Sequence, residues 1–240
     1  MTHQIKKLKM RLSLKFFIAS ILFVALTACE CVPDIDTPKI ISPENYSYAA
    51  MINAIPDREN LVIESDDIPL FYGVSYSGGT HYYQKINSAN SFLRLIDSDS
   101  QLSLFNMPIN LTKLKHYSII FYGFRNSAKA LIIDDEPAFE KNGAFFRIIH
   151  TAVDAQNFTF QVSGPQNFDF DIGFKSFSEL TQIVPGNYNI KLINIQNQIV
   201  SESQFNIESN KIYNFVLKGT QNLLPSKPLF IDAAIINKEN

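Results

Sequence analysis

Tryptophan is missing from this 240-residue chain, cysteine occurs twice and histidine four times. Each shortage removes a class of function. Without Trp, a stacking platform for sugars would have to be built from Tyr or Phe. Two cysteines, Cys29 and Cys31, cannot make a disulfide framework. Beyond the leader the histidines are His81, His116 and His150. None has a second His, Cys or carboxylate at ligand spacing on one strand face, whereas zinc needs three or four converging ligands. His116 directly precedes Tyr117 and is expected to face solvent. No Gly-x-Ser-x-Gly elbow is present. Gly78-Gly79 is an isolated pair, expected to be a hairpin turn rather than a phosphate cradle. No window carries a long 3.6-residue apolar period with helix caps. The expectation is a non-enzymatic protein with no catalytic residues, no cofactor and no metal.

What is present begins at the N-terminus. Residues 1–15 hold Lys6, Lys7, Lys9, Arg11 and Lys15 and no acid, and residues 16–28 are apolar or small apart from Ser20 and Thr27. That is the pattern of a secretory signal. The run is shorter than the ~20 residues a spanning helix needs. Leu26-Thr27-Ala28-Cys29 closes it as a bacterial lipobox, so Cys29 is the expected lipidation site. Acyl chains contribute ~0.8 kcal/mol per buried methylene, enough together to anchor a chain that has no spanning helix. Removing five leader cations from the 21 Lys and Arg leaves 16 against 23 acids, a formal charge of −7 for residues 29–240. That sign argues against nucleic acid, whose phosphates need clustered cations. Pro33, Pro38 and Pro43 recur every five residues in the stretch that follows and favour extended chain. Glu30, Asp34 and Asp36 make that tether similar to the acidic export signals of surface lipoproteins. Cys31 is expected to be a free thiol within it. The expected location is the cell envelope, lipid-anchored to the outer membrane and facing either the periplasm or the surface.

The body repeats itself. Residues 51–57 align with 148–154, 83–86 with 180–183 and 93–97 with 190–194, all shifted by 97; residues 117–123 align with 213–219, shifted by 96. Within the copies, residues 145–149, 158–162, 187–192 and 213–217 are short runs rich in β-branched and aromatic residues, several of them alternating. Pro185-Gly186 adds a turn signal. The fold class expected is all-β: two tandem immunoglobulin-like antiparallel β-sandwich domains after a signal peptide and linker. The acidic turn at 134–136 and Gly143 mark the joint. The segments are then a signal peptide over 1–28, a tether over 29–45, and sandwich repeats over 46–137 and 138–240. Leu111 precedes Tyr117 by six residues, and Ile207 precedes Tyr213 by six. This is the spacing of a tyrosine corner, in which a phenol bonds back to upstream backbone, so Tyr117 and Tyr213 are the expected structural tyrosines.

The Ala-x-Ile-Asn-Ala-x-Pro-Asp segment at 50–57, Tyr-x-x-Ile at 83–86 and Tyr-Ser-Ile-Ile-Phe-Tyr-Gly at 117–123 resemble the tandem family catalogued as domain of unknown function 4397. The resemblance covers about residues 46–220. It implies a secreted or lipid-anchored bacterial protein with paired immunoglobulin-like domains, and no catalytic residue to carry over. The second copy departs from the pattern, with His150 for Asn53 and Val153 for Pro56.

The acids at 64–67, 97–99 and 134–136 fall at turns. They lack the spaced Asp-x-Asp-x-Asp-Gly order of a calcium loop, and turns favour Asp for backbone reasons. The best binding candidates are Tyr72, Tyr76 and Tyr82, in an aromatic stretch whose alternation sends part of the set into the core. Two ligand classes fit such a surface, a protein or envelope partner and a glycan. The first predicts an exposed apolar patch or an unpaired sheet edge. The second, an accessory to nutrient uptake, predicts coplanar exposed rings.

Overall fold

The alternating runs become sixteen strands in the computed structural model, which describes residues 45–238. The expected signal peptide, nearly all of the expected tether, Cys29 and Cys31 lie outside the described residues. The first eight strands are β1 (Tyr46–Ala54), β2 (Asn60–Ser65), β3 (Ile68–Ser75), β4 (Gln84–Asn87), β5 (Ser91–Asp97), β6 (Ser103–Ile109), β7 (His116–Tyr122) and β8 (Lys129–Asp134). A single-turn helix, α1 (Glu136–Phe139), leads into β9 (Ala144–His150), β10 (Phe158–Ser163), β11 (Asn167–Ile172), β12 (Thr181–Ile183), β13 (Gly186–Ile193), β14 (Ile199–Ile207), β15 (Lys211–Lys218) and β16 (Phe230–Asn237). The protein is all-β and forms two tandem sandwiches.

The two halves have the same topology. In the first, sheet A has the order β4-β1-β7-β8 and sheet B the order β3-β2-β5-β6; in the second, sheet C is β12-β9-β15-β16 and sheet D is β11-β10-β13-β14. Pairing is antiparallel except that β1 runs parallel to β7 and β9 parallel to β15. Alternation places Leu61 and Ile63 of β2 and Leu93 and Leu95 of β5 in a core with Ala49 and Met51 of β1 and Ile119 and Phe121 of β7. The equivalent core of the second half joins Phe146 and Ile148 to Phe160, Val162, Ile190, Leu192 and Phe215. Ser65-Asp66-Asp67-Ile68 is a two-residue hairpin with φ of 51° and 65° at the two aspartates, a type I′ geometry that Asp tolerates. Gly78-Gly79 is not a hairpin turn: β3 ends in sheet B and β4 starts in sheet A, so the pair lies in a connection that crosses between sheets.

Strands β1, β7, β9 and β15 are buried along nearly their whole length. One face of each fills its own sandwich. The other is covered because sheets A and C stack on each other, through Ile52, Ala54, Ile120 and Ile133 against Ile149, Val216 and Ala234, with a second cluster of Ala50 and Tyr83 against Phe145, Ile212 and Ile236. The layers therefore run B, A, C, D. Ser118 and Asn214 occupy equivalent places in the two repeats, and Asn214 Nδ2 donates to Ser118 Oγ at 3.2 Å. A residue meeting its own counterpart is what a two-fold axis produces, so the two halves are related by an approximate dyad through this contact.

Candidate functional site

The three candidate tyrosines separate. Tyr72 is 75% exposed at the edge of sheet B, and Tyr82 is half-exposed with its ring 5.9 Å from that of Phe71. Tyr76 is not a surface residue: it is only 4% exposed. The register slips where β3 pairs with β2 and Gly73 takes φ +66°, which breaks simple alternation. The Tyr76 ring packs edge-on to Phe230 at 5.8 Å, with the Lys218 and Lys227 ammonium groups over its face at 5.4 and 4.8 Å. Burial raises its phenol pKa. Tyr76 thus joins the two sandwiches.

Tyr117 and Tyr213 have equivalent bonds. Thr112 N donates to the Tyr117 phenol oxygen at 3.2 Å, and Glu208 N donates to that of Tyr213 at 2.7 Å. Both phenols thus bond upstream backbone, in the manner of a tyrosine corner.

The Asn-Ala-x-Pro-Asp segment and its counterpart at 150–154, which keeps only the Asp, are structural. Asn53 accepts from Ile55 N at 3.0 Å and donates to Arg58 O and Val74 O. Asp57 accepts from Arg125 N, across the loop that follows β7. In the second repeat Asp154 accepts from Gln221, Asn222 and Leu223 N at 2.7–3.0 Å. His150 takes the place of Asn53: its Nε2 donates to Gln156 O at 2.9 Å. The ring is fully buried, and burial lowers its pKa.

His116 does not face solvent. Its ring is stacked between Tyr48 and Phe139, with centroids 4.6 and 3.7 Å away, and Nδ1 lies 3.2 Å from Glu136 Oε2. His81 is exposed, with Nδ1 3.1 Å from Ile235 O. Among the described residues no group of three or more His, Cys, Asp or Glu side chains could hold a metal ion. The acids of the turns have other partners. Asp66 accepts from Ser91 Oγ, Asn87 Nδ2 and Phe92 N, and Arg94 pairs with Glu64 and Asp67.

Two charged networks lie between the sandwiches. Asp135 is fully buried and accepts from the Tyr83 hydroxyl at 2.8 Å, Ser118 Oγ at 2.7 Å and the Arg147 guanidinium. Arg147 Nε also donates to Asn214 Oδ1 at 2.6 Å. The Asp135 charge and burial both raise the Tyr83 pKa, burial being the larger cause. In the second network Lys218 Nζ donates to Tyr76 O at 2.6 Å, Gly78 O at 3.1 Å and Asp232 Oδ2 at 2.7 Å. These charges have their partners within the chain.

With sheets A and C facing each other, sheets B and D keep their outer faces. On sheet B, Val62 opposes Ile96 and lies beside the Tyr72–Gly73 step of β3, so Tyr72, Val62 and Ile96 form a row across three strands. Four residues along β5 from Ile96, beyond Arg94, the half-exposed Phe92 pairs with the exposed Pro108. The sequence reading missed Phe92, Val62 and Ile96. Their alternation with core residues was visible, but the row exists only through strand pairing. Sheet D is polar over most of the same face, with Thr159, Gln161, Asn189, Lys191, Glu202 and Gln204, and turns apolar at the end where Ile193 opposes the exposed Ile199. Among the described residues no helix is long and apolar enough to cross a membrane. No family model matches the chain, and no curated protein matches it significantly.

Proposed function

We propose that the chain is a non-enzymatic, lipid-anchored protein of the bacterial cell envelope, held at the outer membrane through Cys29, whose two-sandwich body offers an outer sheet face to a protein partner. The observation that carries the binding part is the outer face of sheet B. There Tyr72 at 75% exposure and Phe92 at 50% share a surface with Val62, Ile96, Pro108 and the Arg94 ion pairs. Aromatic rings and arginine are the residues enriched where proteins meet, and grouped apolar groups on a free face mark interaction sites. The anchor rests on the basic leader, the apolar run and Leu26-Thr27-Ala28-Cys29. The likeness to the tandem domain family belongs to the same proposal and rests on the segments at 50–57, 83–86 and 117–123. Glycan recognition, the second reading, is favoured by the carboxamides that Asn187, Asn189, Gln204 and Asn206 bring together on the outer face of sheet D.

In-situ cross-linking in the native envelope tests the face. The wild-type chain should capture a stoichiometric protein partner that the Tyr72→Ala/Phe92→Ala variant loses. Equal capture by both would remove sheet B from the proposal. For the anchor, a Cys29→Ser chain should be soluble or stay unprocessed; a processed variant that still fractionates with membrane would refute lipidation at Cys29.

A further inference from the structure

We propose that the outer face of sheet D holds a second, separate binding site, for a neutral polyhydroxylated ligand such as an oligosaccharide. A groove of about 460 Å³ lies there, lined by Ser163, Asn187, Asn189, Gln204 and Asn206 together with Tyr188 and Phe205. Strand register makes the lining compact. Ser163 opposes Asn189 across β10 and β13, Asn189 opposes Gln204 across β13 and β14, and Asn187 opposes Asn206 one step along. Four carboxamides and a hydroxyl thus share one surface patch. Each carboxamide offers two N–H donors and a carbonyl acceptor, the complement of paired sugar hydroxyls, which both donate and accept.

Three further observations favour a neutral polyol. Asn189 Nδ2 donates to Glu202, while its Oδ1 is buried without a partner; turning the carboxamide about its soft terminal torsion would exchange the Glu202 bond for bonds to an incoming polyol. The nearest cation is answered within the sheet, Lys191 Nζ lying 3.9 Å from Glu202 Oε1, so an anionic ligand finds no unopposed cation beside the groove. The rings in the lining, Tyr188 and Phe205, are packed into the second core, which leaves recognition to hydrogen bonds.

The comparison with the first repeat sharpens the assignment. The pair equivalent to Asn189–Gln204 is Phe92–Pro108. The same place on a duplicated scaffold carries apolar groups in one copy and amides in the other, so the two outer faces suit different ligands. The inference rests on the reading of the body as a recognition module, but not on the protein-binding role of sheet B.

The test is a glycan array carrying neutral and acidic oligosaccharides, probed with the detergent-solubilised full chain, followed by calorimetric titration of the strongest binder. A neutral oligosaccharide should bind saturably. Asn189→Ala and Gln204→Ala should each weaken binding about tenfold or more, on the order of losing one well-placed hydrogen bond, and Phe92→Ala should leave it unchanged. Gln204 is exposed, so its variant keeps the test valid if Asn189→Ala lowers the melting temperature. No saturable neutral binder, a binder restricted to acidic glycans, or binding untouched by both amide variants would each overturn the proposal. Loss of glycan binding in the amide variants with partner capture intact separates this site from sheet B.

Discussion

Tyr213 and Tyr117 make the same bond in two repeats with different strength. The Tyr213 side is tighter, at 2.7 Å and 1% exposure against 3.2 Å and 9% for Tyr117. Replacing Tyr213 by Phe leaves Glu208 N without its acceptor and should cost about 1–1.5 kcal/mol; Tyr117→Phe should cost less. Urea midpoints at constant slope measure both, and unchanged midpoints would mean the phenols contribute nothing to stability. These two residues were legible in the sequence because a tyrosine corner is set by local spacing. His150 is the opposite case, since its role appears only once the turn after β9 closes over it. Burial lowers its pKa from the ordinary 6.5. Near that pH the unfolded chain takes up a proton that the folded chain refuses. Stability is therefore complete above about pH 7.5 and falls as pH drops through 6.5, by at most ~1.4 kcal/mol per unit from this one group. His150→Asn restores the residue of the first repeat and removes that dependence. The wild-type and variant stability curves should diverge between pH 7.5 and 5.5; parallel curves would show that His150 is protonated equally in both states.

The strands show where reading by alternation succeeds and where it stops. Phe158–Ser163 and Gly186–Ile193 face one core and one solvent layer, so their polar and apolar residues alternate and the sequence displays them plainly. Ala144–His150 is buried at every position, because sheet C is covered on both sides. Its apolar run predicts a strand, but nothing local says what covers the second face. Arg147 sits in that run as though on an outward face, and its carboxylate partner Asp135 lies twelve residues away in the joint between repeats. Tyr76 misleads in the same way, because a slipped register carries it inward. The groove of sheet D was illegible for a related reason: Asn189 and Gln204 become neighbours only through pairing across β13 and β14. The buried pair carries its own prediction. Arg147→Met strands Asp135 in an apolar layer and should cost ~3–5 kcal/mol. Arg147→Met with Asp135→Asn should cost clearly less than the two single changes added together, since neither charge is then left alone. Additive losses in denaturant titrations would mean that the two groups do not interact.

At the scale of the whole molecule, the B-A-C-D stack makes the two repeats interdependent. Each repeat has the strand set of a sandwich, yet sheets A and C have no polar outer face to show to water. Ile52, Ile120, Ile149 and Val216 are fully buried only because the other half is present. The polar groups of that layer are shared across it: Asp135 and Tyr83 come from the first half and joint, and Arg147 and Asn214 from the second. The arrangement is also asymmetric within its approximate dyad. Arg147 corresponds to Ala50 and Lys218 to Tyr122, so the cations lie on one side only. A pairing of second sandwich with second sandwich would bury two Arg147 side chains without Asp135, and a pairing of first with first would bury two Asp135 side chains without Arg147. The charges thus select the pairing within one chain over pairing between like repeats. Separate unfolding would expose the A–C layer, part Arg147 from Asp135 and take Tyr76 O and Gly78 O from Lys218, so neither half should open alone. Differential scanning calorimetry should show one transition, with a calorimetric enthalpy equal to the van't Hoff enthalpy. Lys218→Met, which removes the bonds to Tyr76 O, Gly78 O and Asp232, should lower that single transition without splitting it. Two resolved transitions in the wild-type chain would show that the sandwiches fold independently and that the A–C contact is too weak to couple them.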